Sequence, residues 1–199
     1  MTQSCRQNNL AIFAYGSLLS DPGERIGEHI IERISCPSPW PIEYARRAKL
    51  RGYGPTLAIH ETGGIVQGQL LVSDLEPAAL DELTEWIWRS EGRPPRDRLK
   101  QMKYRGFSCV LYCDLEATLR NEEINPESLA QFAIESVSHS PQRNAVRYLA
   151  QNLEQGIITP LTYAYRDAIL RRTQAVNLTD AERRLLNRLR GLRFKRKRG

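Results

Sequence analysis

The chain has 199 residues, 41% hydrophobic and 26% charged, a globular balance long enough to bury a core. Its formal net charge is +6, but residues 183–199 hold nine basic side chains and no acid, so removing those nine leaves the remainder at −3. No run approaches the roughly 18 apolar residues that span a membrane, and four scattered cysteines exclude a disulfide scaffold.

The polar stretch Met1–Asn9 lacks the charged-then-apolar layout of a signal peptide, so a cytoplasmic protein is expected. Ala11-Ile12-Phe13-Ala14-Tyr15 then reads as a buried strand that stops on a Gly16-Ser17 turn. Glycine there lets the backbone approach a ligand closely, and consecutive main-chain N–H groups can cradle a carboxylate or oxyanion. Asp21-Pro22-Gly23-Glu24 marks a loop or the start of a short helix through Ile31. Cys36 to Pro41, with three prolines, reads as irregular. Short strands are expected over Ile42–Leu50, Thr56–His60 and Ile65–Val72, with Gly52-Tyr53-Gly54-Pro55 turning between the first two.

Ser73-Asp74-Leu75-Glu76 resembles a capping box, with Pro77 tolerable in the first helical turn. Leu80, Leu83 and Ile87 give the following helix an apolar stripe that runs through Trp88 to the Gly92-Arg93-Pro94-Pro95 stop. Tyr104–Leu115 is rich in strand formers and reads as one strand buried on both faces. Cys109 and Cys113 would lie about 13 Å apart on it, too far for a disulfide. Asn125-Pro126, Ser140-Pro141 and Thr159-Pro160 each pair a capping residue with proline, placing helices near 127–138, 142–155 and 160–172. Thr179–Glu182 is a further capping box before a helix near 180–191, and Gly156 occupies a C-cap position. Strands, a helix, a strand and then helices define an α+β fold. The expected organisation is one domain over 9–175 and a basic helix and tail over 176–199. The three histidines are dispersed, and no metal-ligand spacing is found. The tail could make weak contact with nucleic acid or another anionic surface.

Phe13-Ala14-Tyr15-Gly16-Ser17-Leu18 resembles the opening signature of the γ-glutamylcyclotransferase superfamily, in particular its ChaC-like, glutathione-specific branch. Arg46-Arg47, Arg51-Gly52 and Pro55-Thr56-Leu57-Ala58 are similar to that branch's second and third strands. Val66-Gln67-Gly68-Gln69-Leu70-Leu71 resembles the strand ahead of its active-site helix, and Trp88-Arg89-Ser90-Glu91 the end of that helix. Tyr148 to Ile157 is similar to its C-terminal helix and turn. The likeness covers roughly residues 9–172 in separate blocks.

The resemblance implies a small, mostly antiparallel or mixed β-barrel flanked by helices, with no cofactor. It implies a γ-glutamyl small molecule, glutathione above all, as substrate. The substrate's α-amine attacks its own γ-carbonyl, the bond to the leaving nitrogen breaks, and 5-oxoproline and the free amine result. No protein nucleophile is required, but one carboxylate must take a proton from the amine and return it to the leaving nitrogen. The resemblance gives that role to Glu91, at a helix C-terminus where the dipole disfavours its charge and should raise its pKa; Glu85 is the alternative. Main-chain amides of Tyr15, Gly16, Ser17 and Leu18 would hold the substrate. Arg46 and Arg47 fall on opposite faces of one strand, so at most one could face a pocket. Two other readings stay open: a non-catalytic γ-glutamyl-compound binder, and an adaptor acting through the tail.

Overall fold

Five consecutive apolar residues, Leu10–Ala14, form strand β1, buried along its whole length. The computed structural model describes residues 10–90, 99–112, 118–173, 180, 183–184 and 187–189. In chain order, β1 is followed by α1 (Ser17–Ser20), α2 (Glu24–Glu28), β2 (Ile30–Pro37), β3 (Ile42–Ala48), β4 (Gly54–Ile59), β5 (Gln67–Ser73) and α3 (Leu80–Ser90). Then come β6 (Leu99–Tyr104), β7 (Phe107–Tyr112), α4 (Pro126–His139), α5 (Ala145–Glu154) and α6 (Thr162–Thr173). The fold is α+β, and no helix among the described residues is long and apolar enough to cross a membrane. The chain divides into two compact units, one of Met1–Pro39 with Ile65–Leu115, the other of Trp40–Gly64 with Glu116–Gly199.

The first unit is a five-stranded mixed sheet in the order β2-β5-β1-β7-β6. β1 runs antiparallel to β5 and parallel to β7, which is why a central strand with neighbours on both sides can be apolar throughout. Leu10, Ile12 and Ala14 alternate onto one face and pack with Leu18, Ile26, Leu71, Leu83 and Ile87. The expected stripe of α3 therefore supplies two of the aliphatic side chains in this core. Each such side chain contributes about 1.5–3 kcal/mol when fully buried.

Several expectations are corrected here. The helix expected through Ile31 ends at Glu28, and the chain enters β2, which runs to Pro37. Proline is tolerated there because β2 is an edge strand. Ser73 does not cap the next helix; it stays in β5, and its hydroxyl donates to the Leu10 carbonyl at 3.1 Å. The single strand expected over Tyr104–Leu115 is a hairpin, β6 and β7, turned at Arg105 (φ 50°) and Gly106 (φ 88°). The sheet is open, not a closed barrel: β2 and β6 are its edges. The two edges are bridged diagonally: the Tyr104 hydroxyl, from the end of the sheet where β1 begins, donates to the Pro37 carbonyl, at the end where β1 stops, at 2.7 Å. Proline has no N–H, so a backbone ladder could not continue through that residue.

The second unit carries the β3–β4 hairpin and the last helices. Asn125 caps α4, its side-chain oxygen accepting from Glu127 N at 3.1 Å and Ser128 N at 3.0 Å, with Pro126 at the first position as expected. The next helix starts later than expected: Asn144, not Ser140, is its cap, accepting from Arg147 N at 2.9 Å. Gly156 (φ 77°) ends α5 by sending its N–H to Leu153 O, while Ile157 N–H returns to Asn152 O at 2.9 Å. α6 begins at Thr162, whose hydroxyl accepts from Thr159 N at 2.8 Å. Of the helix expected near 180–191, Asp180, Arg183, Arg184, Asn187, Arg188 and Leu189 are described and helical; the capping box apart from Asp180 lies outside the described residues.

Candidate functional site

The turn that follows β1 is the feature around which the first unit's polar and aromatic groups gather. Tyr15 is half-buried, and Gly16 is buried with φ 70°, a left-handed conformation in which a side chain would be strained. Ser17 opens the single turn of α1, Leu18 enters the core, and Leu19 N donates to the Gly16 carbonyl at 3.3 Å. The four residues expected to hold the substrate thus follow one another at the end of the sheet's central strand.

Aromatic rings accompany that turn. The Phe13 ring centroid lies 6.1 Å from that of Tyr15 and 5.9 Å from that of Tyr104, the latter pair nearly perpendicular at 86°. Gly68 on β5 makes room for them. A Cβ there would fall 2.7 Å from the Ala14 carbonyl oxygen and 2.7 Å from the Phe13 ring. Tyr104, to which no role was given from the sequence, therefore does two things: it packs on Phe13 and ties β6 to β2. Cys36, paired with Gly68, is buried, and burial raises its thiol pKa.

Helix α3 packs on the same core as Leu18 through Leu83 and Ile87. His29 stacks on Trp86, past the middle of the helix, at 5.3 Å, and bonds Asp74, ahead of the helix, at 2.9 Å. The helix is described to Ser90; Glu91 lies outside the described residues. The alternative carboxylate, Glu85, is half-buried and accepts from Arg89 Nε one helical turn later at 2.9 Å. The Thr84 hydroxyl donates to the Leu80 carbonyl at 2.7 Å and accepts from Gln101 at 3.2 Å, so it too has a structural task.

The arginines of β3 belong to the second unit. Arg47 donates from Nε to the Tyr53 carbonyl at 2.7 Å and lies 4.2 Å over the Phe132 ring, holding the hairpin on α4. The buried acid of this unit, Glu43, was missed from the sequence. One oxygen accepts from the Thr159 hydroxyl at 2.5 Å and from Tyr44 N at 2.9 Å; the other accepts from Leu161 N at 3.1 Å. Burial raises its pKa, and the three donors partly oppose that rise. The available signal was an acid inside the run Ile42-Glu43-Tyr44-Ala45, all four of which are buried.

Comparison with protein families, with curated proteins and with solved structures gives no match. The chemistry that the described turn can offer is main-chain hydrogen bonding beside aromatic contact.

Proposed function

We propose that the chain is a ChaC-like γ-glutamylcyclotransferase of the cytoplasm that converts glutathione, or a related γ-glutamyl amide, to 5-oxoproline. The observation that carries this reading is the Tyr15–Leu18 turn. It leaves the central strand through a buried, left-handed Gly16 and is packed on the same core as α3. In the proposed reaction the amides of Tyr15, Gly16, Ser17 and Leu18 hold the substrate's carboxylate and polarise its γ-carbonyl. The α-amine gives a proton to Glu91, the new C–N bond closes the ring, and Glu91 returns the proton to the departing nitrogen. Such a carboxylate is worth about 10²–10⁴-fold. Holding the substrate in its attack conformer adds an effective molarity of about 10⁵ M or more.

The test is release of 5-oxoproline from glutathione by the purified chain beside Glu91→Gln. Turnover by the wild type that falls about 10²–10⁴-fold in the variant is the expected result. Equal turnover in both would remove Glu91 and leave Glu85 as the candidate. No turnover with glutathione or with a panel of other γ-glutamyl amides would overturn the enzymatic reading in favour of a binding protein.

A further inference from the structure

We propose that Arg33 is a specificity-determining residue of the turn that follows β1, selecting substrates whose glutamyl α-carboxylate is free. The inference rests on the γ-glutamyl reading of that turn. Arg33 lies on β2, the edge strand beside β5. It pairs with Leu71, which pairs with Ile12, so its side chain leaves the sheet on the face of Ile12, where Leu18 also packs.

From there Arg33 reaches α1 and donates from Nη1 to the Leu19 carbonyl at 3.0 Å. The Leu19 N–H is already spent on the Gly16 carbonyl, and the Leu18 side chain sits in the core. The turn is thus fixed through its main chain and its side chain together. The same contact places a full positive charge one residue beyond the amides of Tyr15 to Leu18. Backbone bond lengths put the guanidinium roughly 8 Å from the Leu18 amide.

Arg33 is exposed, and among the described residues no carboxylate pairs with it, so its charge is not cancelled from within the protein. A carboxylate held by the turn's amides meets that charge; a neutral carboxamide in the same place gains nothing from it. At about 8 Å a unit charge changes the affinity for an anion by about 3- to 30-fold, between the dielectric of water and that of a protein surface.

The experiment measures calorimetric binding and initial rates for two compounds: glutathione, and its analogue with the glutamyl α-carboxylate replaced by a carboxamide. Wild type, Arg33→Gln and Arg33→Lys are compared. Arg33→Gln should weaken glutathione binding about 3- to 30-fold and raise KM by the same factor. Its kcat and its affinity for the carboxamide should stay within about twofold. Arg33→Lys keeps the charge and should recover glutathione binding, and both variants should unfold at the wild-type midpoint, as surface exchanges do. Equal weakening of both compounds would reduce Arg33 to a brace for the turn, and unchanged glutathione affinity would remove it from the site. Either result overturns the inference while turnover by the wild type stands. Wild-type binding of glutathione without turnover would overturn the cyclotransferase reading alone, and the two affinities would still decide the role of Arg33. Failure of the wild type to bind either compound would overturn both.

Discussion

The two units treat their buried polar groups differently. In the second unit, the Glu43 carboxylate is fully buried and meets Thr159, Tyr44 and Leu161 as protein donors. In the first, the buried polar side chains described, Ser38 and Ser73, are uncharged hydroxyls bonded to main chain, and the central strand leaves the sheet through Gly16 at positive φ. The comparison teaches that a raised pKa does not by itself mark a catalytic acid. Burial raises the pKa of Glu43, yet its hydrogen bonds join β3 to the start of α6. A carboxylate that serves a substrate must reserve bonding capacity for it.

The largest expected effect tests the structural side of this contrast. Glu43→Ala leaves the Tyr44 and Leu161 amides without their acceptor, while the Thr159 hydroxyl keeps only Thr162 beside it, and each buried group left unpaired costs about 1–3 kcal/mol. Urea unfolding should show a loss of about 3 kcal/mol or more; a loss below about 1 kcal/mol would mean that solvent or neighbours replace the carboxylate.

Tyr104→Phe sharpens the other side. The ring keeps its contact with Phe13, but the bond to the Pro37 carbonyl is lost. The expected cost is about 1 kcal/mol, with faster amide hydrogen exchange confined to β2 and β6. Unchanged exchange at both edges would show that the hydroxyl does not hold them together.

The smallest effect is one of pH. The folded chain holds the Glu43 proton more tightly than the unfolded chain, whose carboxyl sits near the ordinary 4.5. Stability from this group is therefore fully present below about pH 4.5 and declines as pH rises through the raised folded value. Subtracting the stability of Glu43→Gln from that of the wild type at each pH isolates the trend. A difference that grows with pH would reverse the sign.

Much of the fold was legible where local chemistry decides it. Asn125-Pro126 announces the start of α4, Gly156 the end of α5, and Leu83 with Ile87 the buried face of α3. The parts that were not legible depend on partners distant in sequence. β2 carries a bulge between Ile30 and Glu32, puts Glu32 on the face of Ile34 and ends on Pro37, so its alternation is broken until β5 pairs with it. The β6–β7 turn puts Arg105, not Asn or Gly, at its first positive-φ position and glycine only at the second, so its signal is correspondingly faint. Glu43 meets Thr159 and Leu161 from more than a hundred residues away. Of the candidate site, the turn was readable because glycine at positive φ leaves a sequence mark. The clasp made by Tyr104 was not, because the curl of a sheet does not.

The most direct measurement is 5-oxoproline release from glutathione per folded molecule, with Glu91→Gln and Glu43→Gln assayed beside the wild type. The account predicts that Glu91→Gln unfolds at the wild-type urea midpoint but loses about 10²–10⁴-fold in turnover. Glu43→Gln should unfold earlier and turn over normally where it is folded. Turnover retained in Glu91→Gln and lost in folded Glu43→Gln would contradict the account and transfer the proton shuttle to the buried acid.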